Sequence, residues 1–263
     1  MKTPITYWGG KQRLVTTILP LIPEHELYCE PYVGGAAIFI SHPRSKTEII
    51  NDLDSMVSIF YKVMQSDFEN LKEKIDQTLY CRATHKVAMT IREMKHLFSD
   101  LQIAWAFFVL TALGFSGTLD SFGCYSKGGK AHTFEKKKTL FTKELKHRFE
   151  GVQIENTDAV KLIKLRDTPE SFFYLDPPYI DTVQSHYRGY TREMYTELLD
   201  VLKNLKGRFL LSSFPSDILH KYIGENGWHS KQINQSKPAS RNPDGSKKRK
   251  TEVLTANYPL DLL

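Results

Sequence analysis

Residues Asp176 to Tyr179, with the sequence Asp-Pro-Pro-Tyr, combine groups that can hold an amino group on a flat ring. A carboxylate and a proline-fixed backbone carbonyl can accept both amine hydrogens, because prolines carry no backbone N–H. The tyrosine ring beside them can stack on a planar base. The motif follows Ser171 to Leu175, which is typical of a buried strand, and open α/β sheets bind ligands at the carboxyl ends of their strands. This position favours a ligand site over a simple turn.

A second set of residues surrounds a glycine pair. Gly34 and Gly35 follow the strand candidate Leu27 to Glu30, and Asp52 ends the next strand along the chain. Such glycines allow a ligand to approach the backbone, and such an acid can bind ribose hydroxyls. The sequence Gly-Gly-Ala-Ala does not match the dinucleotide pattern GxGxxG, so an adenosine-type ligand remains open. The structural alternative is a tight turn with Asp52 capping a helix.

The N-terminal segment Tyr7 to Lys11, with the sequence Tyr-Trp-Gly-Gly-Lys, places aromatic rings, glycines and a cation at a helix start. These types suit a flat ring with an anionic group. The segment is not a P-loop, because Ile5 and Gln12 replace the glycine and the hydroxyl residue that a P-loop needs. The alternative is an aromatic plug against the core.

The elements that position these motifs follow from hydrophobic periodicity. Helices are predicted at Lys11–Ile22, through most of 53–113, and at Thr139–Phe149, Asp158–Leu165, Arg192–Leu205 and Asp217–Ile223. Strands are predicted at Leu27–Glu30, Thr47–Ile50, Val152–Glu155, Ser171–Leu175 and Gly207–Ser213, with a terminal β-hairpin from Trp228–Gln235 and Val253–Tyr258. Residues 114–138 read as a loop. The pattern predicts an α/β protein with a doubly wound sheet that a helical insertion interrupts.

Composition and charge narrow the class. The 263 residues are 41% hydrophobic and 25% charged, which excludes a disordered or fibrous chain. The net charge of the chain is +6. The runs Lys127–Arg148 and Lys231–Lys250 each carry +6, offset by acidic residues elsewhere, and two such basic runs indicate a polyanion partner. No apolar run is long enough for a membrane helix, and no secretory signal is visible. Three scattered cysteines form no disulfide or zinc pattern, so we expect a cytoplasmic protein without a metal.

The three motifs, in this order, resemble the Dam-type (α group) DNA adenine-N6 methyltransferases of bacteria and phages. Weaker support comes from Gly114-Phe-Ser-Gly117, before the basic loop, and from Thr251 to Tyr258. The resemblance covers nearly the whole chain. It implies a Rossmann-like methyltransferase sheet with a terminal hairpin, S-adenosyl-L-methionine as methyl donor, and an adenine flipped out of duplex DNA at GATC or a related site.

The resemblance also assigns roles to residues. The catalytic set is Asp176, Pro177, Pro178 and Tyr179, and the donor-binding set is Tyr7, Trp8, Gly9, Lys11, Glu30, Pro31, Tyr32, Gly34, Asp52, Asp158 and Asp176. The two basic runs, rather than the resemblance, predict phosphate contacts from a group of residues, Lys127, Lys130, Lys136, Lys137, Lys247, Lys248 and Arg249, and Ser116 is added as a DNA contact. Residues 1–52 and 151–263 are predicted to form the catalytic domain, and 53–150 the helical insertion that recognises the target. We expect a bacterial or phage-encoded monomer or weak dimer.

Other functions remain as alternatives. An N4-cytosine methyltransferase mostly has Ser at the position of Asp176, and an RNA adenine methyltransferase more often has Asn, so Asp176 favours DNA adenine. A DNA-binding relative without catalysis is disfavoured by the intact Lys11, Asp52, Asp176 and Tyr179. An NAD-dependent oxidoreductase lacks its glycine pattern here.

Overall fold

A mixed sheet of seven strands organises the protein. The computed structural model describes residues 1–7, 9–114, 119–123, 129–180, 189–241 and 247–260, with the backbone alone for 129–130, 235–241 and 247–250. The strand order is β3-β2-β1-β4-β5-β7-β6. The strands are β1 (Leu27–Glu30), β2 (Thr47–Asn51), β3 (Gln153–Glu155), β4 (Ser171–Leu175), β5 (Arg208–Ser213), β6 (His229–Arg241) and β7 (Lys247–Ala256).

Eleven α-helices are found in the described residues. They are α1 (Val15–Ile18), α2 (Ala37–Ser41), α3 (Ser55–Ser66), α4 (Phe68–Asp76), α5 (Arg82–Glu93), α6 (Asp100–Leu113), α7 (Gly129–Lys138), α8 (Lys143–Phe149), α9 (Ala159–Arg166), α10 (Arg192–Lys203) and α11 (Asp217–Asn226). The β2–β3, β1–β4 and β4–β5 pairs are parallel, whereas β7 runs antiparallel to β5 and to β6. The predicted α/β sheet with a terminal hairpin is therefore confirmed.

The chain divides into two compact units. The first contains residues 1–19, 33–44 and 48–157, and the second contains 20–32, 45–47 and 158–263. Neither unit is continuous in sequence, and their boundaries differ from the predicted division into 1–52 with 151–263 and 53–150. That functional division remains a prediction.

The first unit is built around helix α6, which is apolar on every side. Ten of its residues are buried, from Ile103 to Leu113, and a capping box of Ser99 and Gln102 begins it. A helix that is apolar all round must be covered on all its faces. Helices α3, α4, α5 and α7 pack against it, and burying this surface holds the unit together. A buried ion pair between Arg148 and Glu48 ties α8 to strand β2.

The second unit is built on strands β1, β4, β5, β7 and β6. Every residue of β4 is buried, as expected for a central parallel strand. The register aligns Cys29 of β1 with Phe173, so Glu30 at the end of β1 lies beside the carboxyl end of β4. Both ends therefore meet at one edge of the sheet, where Asp176 follows Leu175.

Three predictions of secondary structure were wrong in detail. Instead of one helix over Lys11–Ile22, the segment contains the short helix α1 with a 3-10 turn on either side. Pro20 cannot continue a regular helix. Residues 129–138, predicted as loop, form α7, whose Phe134 is fully buried beside the ring of Phe108 at 5.9 Å. The second basic run is not only a hairpin loop, since its residues up to Arg241 and from Lys247 belong to β6 and β7.

Candidate functional site

An acidic cluster lies at the carboxyl edge of the sheet in the second unit. Burial, and then the negative charges of Asp176, Glu30 and Glu252, raise the pKa of the Tyr174 hydroxyl well above its ordinary value. Glu30 is almost fully buried and accepts a hydrogen bond of 2.6 Å from the Tyr28 hydroxyl. Three carboxyl groups thus surround one region, which suits a cationic ligand or a hydrogen-bond donor.

The Asp-Pro-Pro-Tyr segment is held at this edge by its own tyrosine. The Tyr179 hydroxyl lies 3.1 Å from Asp176 Oδ1 and also contacts Glu252 Oε1. The Tyr179 ring lies 4.2 Å from the Phe214 ring, centroid to centroid. Burial and the two carboxyl groups raise the pKa of Tyr179 well above its ordinary value, so the phenol keeps its hydrogen. Pro177 is buried, whereas Asp176 is half-exposed.

Asp158 and Tyr32 belong to the same unit. Asp158 caps helix α9, its Oδ1 accepting the Lys161 backbone N–H at 2.8 Å, and it remains exposed. Burial, then Tyr32 and more weakly Asp158, raise the pKa of the Tyr190 hydroxyl. Both predicted donor-binding residues, Tyr32 and Asp158, therefore influence this phenol. Pro31 is buried next to Tyr32.

The glycine turn and Asp52 belong to the first unit. Asp52 Oδ2 accepts the Gly34 N–H at 3.0 Å, and its Oδ1 accepts the Asp54 N–H at 2.9 Å. Burial raises the pKa of Asp52 to about 7, although both backbone hydrogen bonds oppose the shift. Above this pKa each carboxylate oxygen has a second lone pair, so the ionised Asp52 can accept ribose hydroxyls while the turn fixes it. These acceptor oxygens beside the glycine turn fit the nucleoside part of S-adenosylmethionine.

Gly34 has a positive φ of 43°, and a Cβ there would lie 2.8 Å from Tyr7 Cδ1. Only glycine therefore lets the Tyr7 ring rest on the turn. The Tyr61 hydroxyl donates to the Gly34 carbonyl at 2.8 Å. Lys11 is buried, and its Nζ donates to the Gly9 carbonyl at 3.1 Å. The structure thus brings Tyr7, Gly34 and Asp52 together in one unit.

Comparison with known proteins identifies the family. The family model of the D12 class N6 adenine-specific DNA methyltransferases matches residues 7–232 of this chain. The chain belongs to this family. It is accordingly an adenine-specific DNA methyltransferase whose substrate is DNA, and enzymes that transfer methyl groups in this way use S-adenosylmethionine.

Three curated relatives show how far the similarity extends. The type II methyltransferase M1.LlaDCHI of Lactococcus lactis subsp. cremoris is 27% identical, over 97% of this chain and 95% of that protein. Modification methylase StsI of Streptococcus sanguinis is 24% identical over 72% of this chain, and the matched region covers only 30% of StsI. The DNA N-6-adenine-methyltransferase of Escherichia phage P1 is 28% identical over 41% of this chain and 15% of its own length.

The residues expected to contact DNA are only partly described. Trp8 of the donor set, with Ser116 and Lys127 of the DNA set, lies outside the described residues, and Lys130, Lys247, Lys248 and Arg249 are described by their backbone alone. Lys136 is exposed on α7. Lys137 is half-buried, and its Nζ donates to the Thr111 carbonyl at 3.2 Å, near the end of α6. Lys136 is therefore better placed than Lys137 for a phosphate contact.

The structure adds one residue that the sequence did not single out for a role, Glu252. This acid is fully buried on β7 and contacts the tyrosine of the catalytic motif. The sequence held two signals for it: Glu252 lies in the segment Thr251 to Tyr258 that supports the resemblance, and it is a charged residue directly before the apolar Val253 and Leu254.

Within the described ranges, none of the helices combines the length and apolar character that a membrane crossing requires. No group of three or more His, Cys, Asp or Glu side chains in the described part of the chain is arranged to hold a metal ion.

Proposed function

We propose that this enzyme transfers the methyl group of S-adenosylmethionine to N6 of an adenine that leaves the stack of duplex DNA. The observation that carries the proposal is Asp176, which follows the buried strand β4 and lies beside the hydroxyl of Tyr179. A base inside a duplex cannot reach such a motif, so the adenine must be extruded, and the Tyr179 ring offers it a stacking surface.

The acceptor groups explain how the amine becomes reactive. The lone pair of an aromatic amine is delocalised into its ring, which makes the nitrogen a poor nucleophile. The Asp176 carboxylate and the Pro177 carbonyl can accept its two hydrogens and favour a tetrahedral nitrogen. The sulfonium donor supplies an activated methyl group, so the chain needs to position and polarise the amine rather than attack it.

The described cysteines do not suit a covalent mechanism. Cys29 is fully buried in β1, and Cys81 caps helix α5 by accepting the Thr84 N–H at 3.4 Å. A nucleophilic cysteine must be accessible to its substrate, and Cys29 is not. Burial therefore excludes Cys29 as a thiolate nucleophile, and the acceptor groups at Asp176 favour direct transfer to an exocyclic amine.

The first unit supplies groups for the donor. We assign Asp52 to the ribose hydroxyls, the Gly34 turn with Tyr7 to close contact along the ligand, and Lys11 to support of the N-terminal segment. In the second unit, Glu30 is proposed to add negative charge that favours a cationic sulfonium. Asp158, also of the second unit, is assigned to the adenine of the donor.

Further parts of the proposal concern DNA and biological setting. Basic residues around Lys136 and in β7 are proposed to bind phosphates, and residues 116–138 to read a short site such as GATC. The printed names of two relatives, a type II methyltransferase and a modification methylase, favour a role in restriction-modification. We propose action in the bacterial cytoplasm as a monomer or weak dimer.

The test is methyl transfer from labelled S-adenosylmethionine to unmodified genomic DNA, with the modified base mapped by sequencing. The wild type should produce N6-methyladenine within one short motif, and Asp176→Ala should not. Glu197→Gln, at an exposed position of α10 in the same unit, is the matched acidic control and should retain activity. Label on cytosine or on RNA alone, or donor binding without transfer, would refute the proposal.

A further inference from the structure

One phenol hydroxyl in the second unit lies against two carboxyl groups. The Tyr179 hydroxyl lies 3.1 Å from Asp176 Oδ1 and also contacts Glu252 Oε1. A phenol has a single hydrogen, so it cannot satisfy both acceptors fully. The position of this one hydrogen affects how strongly Asp176 accepts other donors.

Glu252 is an unusual residue for its place in the fold. It lies on β7 with no exposed surface, and directly after it come the buried Val253 and Leu254. Burying a carboxylate is costly unless hydrogen bonds compensate it. Compensation comes from Ser212 on β5, whose Oγ donates to Glu252 Oε1 at 2.7 Å, and from Tyr179. An apolar residue would be the ordinary choice for stability alone at such a position.

The contact with Asp176 is long for a hydrogen bond. Hydroxyl-to-oxygen hydrogen bonds usually span 2.5 to about 3.0 Å, so the 3.1 Å separation from Asp176 is at the weak end. We infer that Glu252 is a positioning residue that takes the Tyr179 hydrogen and thereby leaves Asp176 a stronger acceptor for the target amine. This inference rests on the proposed role of Asp176 in accepting that amine.

Substitution of Glu252 by glutamine should move the hydrogen. Gln keeps the volume and an acceptor oxygen, but a neutral amide accepts more weakly than a carboxylate. The phenol then donates to Asp176, which becomes a poorer acceptor in the transition state. We expect kcat to fall about tenfold, the equivalent of one ordinary hydrogen bond. KM for donor and DNA should stay within about twofold, since the lost interaction develops in the transition state.

A second substitution distinguishes this role from a structural one. Tyr179→Phe removes the hydrogen itself while it keeps the ring. In the Glu252→Gln background it should therefore restore kcat to within about threefold of the wild type, because coupled neighbours are not additive. If Glu252 served only to stabilise β7, the added loss of a hydroxyl would leave the rate unchanged or lower it further.

The control is Thr255→Val on the same strand. Thr255 is buried, and its hydroxyl has no hydrogen-bond partner in the described part of the chain, so Val replaces it at similar volume. This variant should keep wild-type kcat, and thermal unfolding should show all variants folded at the assay temperature. Loss of kcat in Thr255→Val as large as in Glu252→Gln would overturn the inference, as would a Glu252→Gln enzyme with wild-type kcat.

A spectroscopic measurement needs no turnover. The ¹³Cζ resonance of labelled Tyr179, assigned by its disappearance in Tyr179→Phe, reports which carboxyl group receives the hydrogen. It should shift in Glu252→Gln and change little in Asp176→Asn, and the reverse order would overturn the inference. If the variants show this pattern but the wild type transfers no methyl group, the proposed function is refuted, whereas the assignment of the hydrogen stands.

Discussion

Gly34→Ala tests whether the contact between the glycine turn and Tyr7 matters for the donor. Gly34 has φ of +43°, and an added Cβ would lie 2.8 Å from Tyr7 Cδ1 and 3.2 Å from Tyr7 Cε1. Two costs therefore arise: left-handed backbone strain of roughly 1–2 kcal/mol, and displacement of the ring. A ring carbon cannot give way as the end of a flexible chain can, so Tyr7 must move as a whole.

Gly151→Ala separates the two costs. Gly151 lies in the same unit with φ of +76°, but an added Cβ would meet nothing within 4 Å. It should lose only the strain of roughly 1–2 kcal/mol, measured by urea unfolding. Gly34→Ala should lose about 1–3 kcal/mol more, as overpacked sites do.

The same pair of variants is then assayed for donor affinity. Calorimetric titration with S-adenosylmethionine should give a Kd at least about tenfold weaker for Gly34→Ala, which corresponds to 1.4 kcal/mol, and an unchanged Kd for Gly151→Ala. Equal unfolding free energies for the two variants, together with equal Kd values, would refute the packing argument. Loss of stability without loss of affinity would show that Tyr7 supports the fold rather than the donor.

Three other predictions follow from described contacts. The carboxyl group of Asp52 keeps its proton to about pH 7 in the folded protein but loses it near pH 3.8 in the unfolded chain. The free energy of unfolding of the wild type, relative to that of Asp52→Asn, should therefore fall as the pH rises from about 4 to about 8. A difference in urea unfolding that does not change with pH would contradict this. Glu48→Gln leaves the buried Arg148 guanidinium without its ion pair and should lower the free energy of unfolding by about 3–5 kcal/mol. The double variant Glu48→Leu with Arg148→Met should recover most of this loss in the same assay. Lys136→Ala should weaken DNA binding and lower the slope of log K against log salt by about 1. Lys138→Ala, which loses a 2.7 Å bond to the Thr78 carbonyl, should mainly lower the melting temperature, and equal salt slopes for the two variants would argue against the phosphate contact.

The sequence predicts local features of this protein well, because they depend on neighbouring residues. The apolar run before Asp176 predicts strand β4, and its position predicts a ligand site at the end of that strand. Helix α7 was missed because its polar composition hides a buried residue, Phe134, whose ring packs against Phe108 and Tyr80, both distant in sequence.

Non-local contacts explain the remaining differences. Glu252 lies 73 positions beyond Tyr179, and only the pairing of β5 with β7 brings it into contact with that hydroxyl. Similarly, charge alone cannot show that Lys137 donates to the Thr111 carbonyl. The sequence reveals which residues are charged, whereas the tertiary structure decides which charges face other parts of the protein.

The discontinuity of the two units has a consequence for synthesis on the ribosome. The first unit needs nothing beyond residue 157, whereas the second requires strands up to Ala256. The first unit can therefore close while the second is still being made. Strand β1 leaves the ribosome early, yet its partner β4 ends at Leu175. At 5–20 residues per second, β1 waits about 7 to 30 s for that partner. During this time the edge of Leu27 to Glu30 that will pair with β4 presents unpaired backbone N–H and C=O groups to other nascent chains and chaperones.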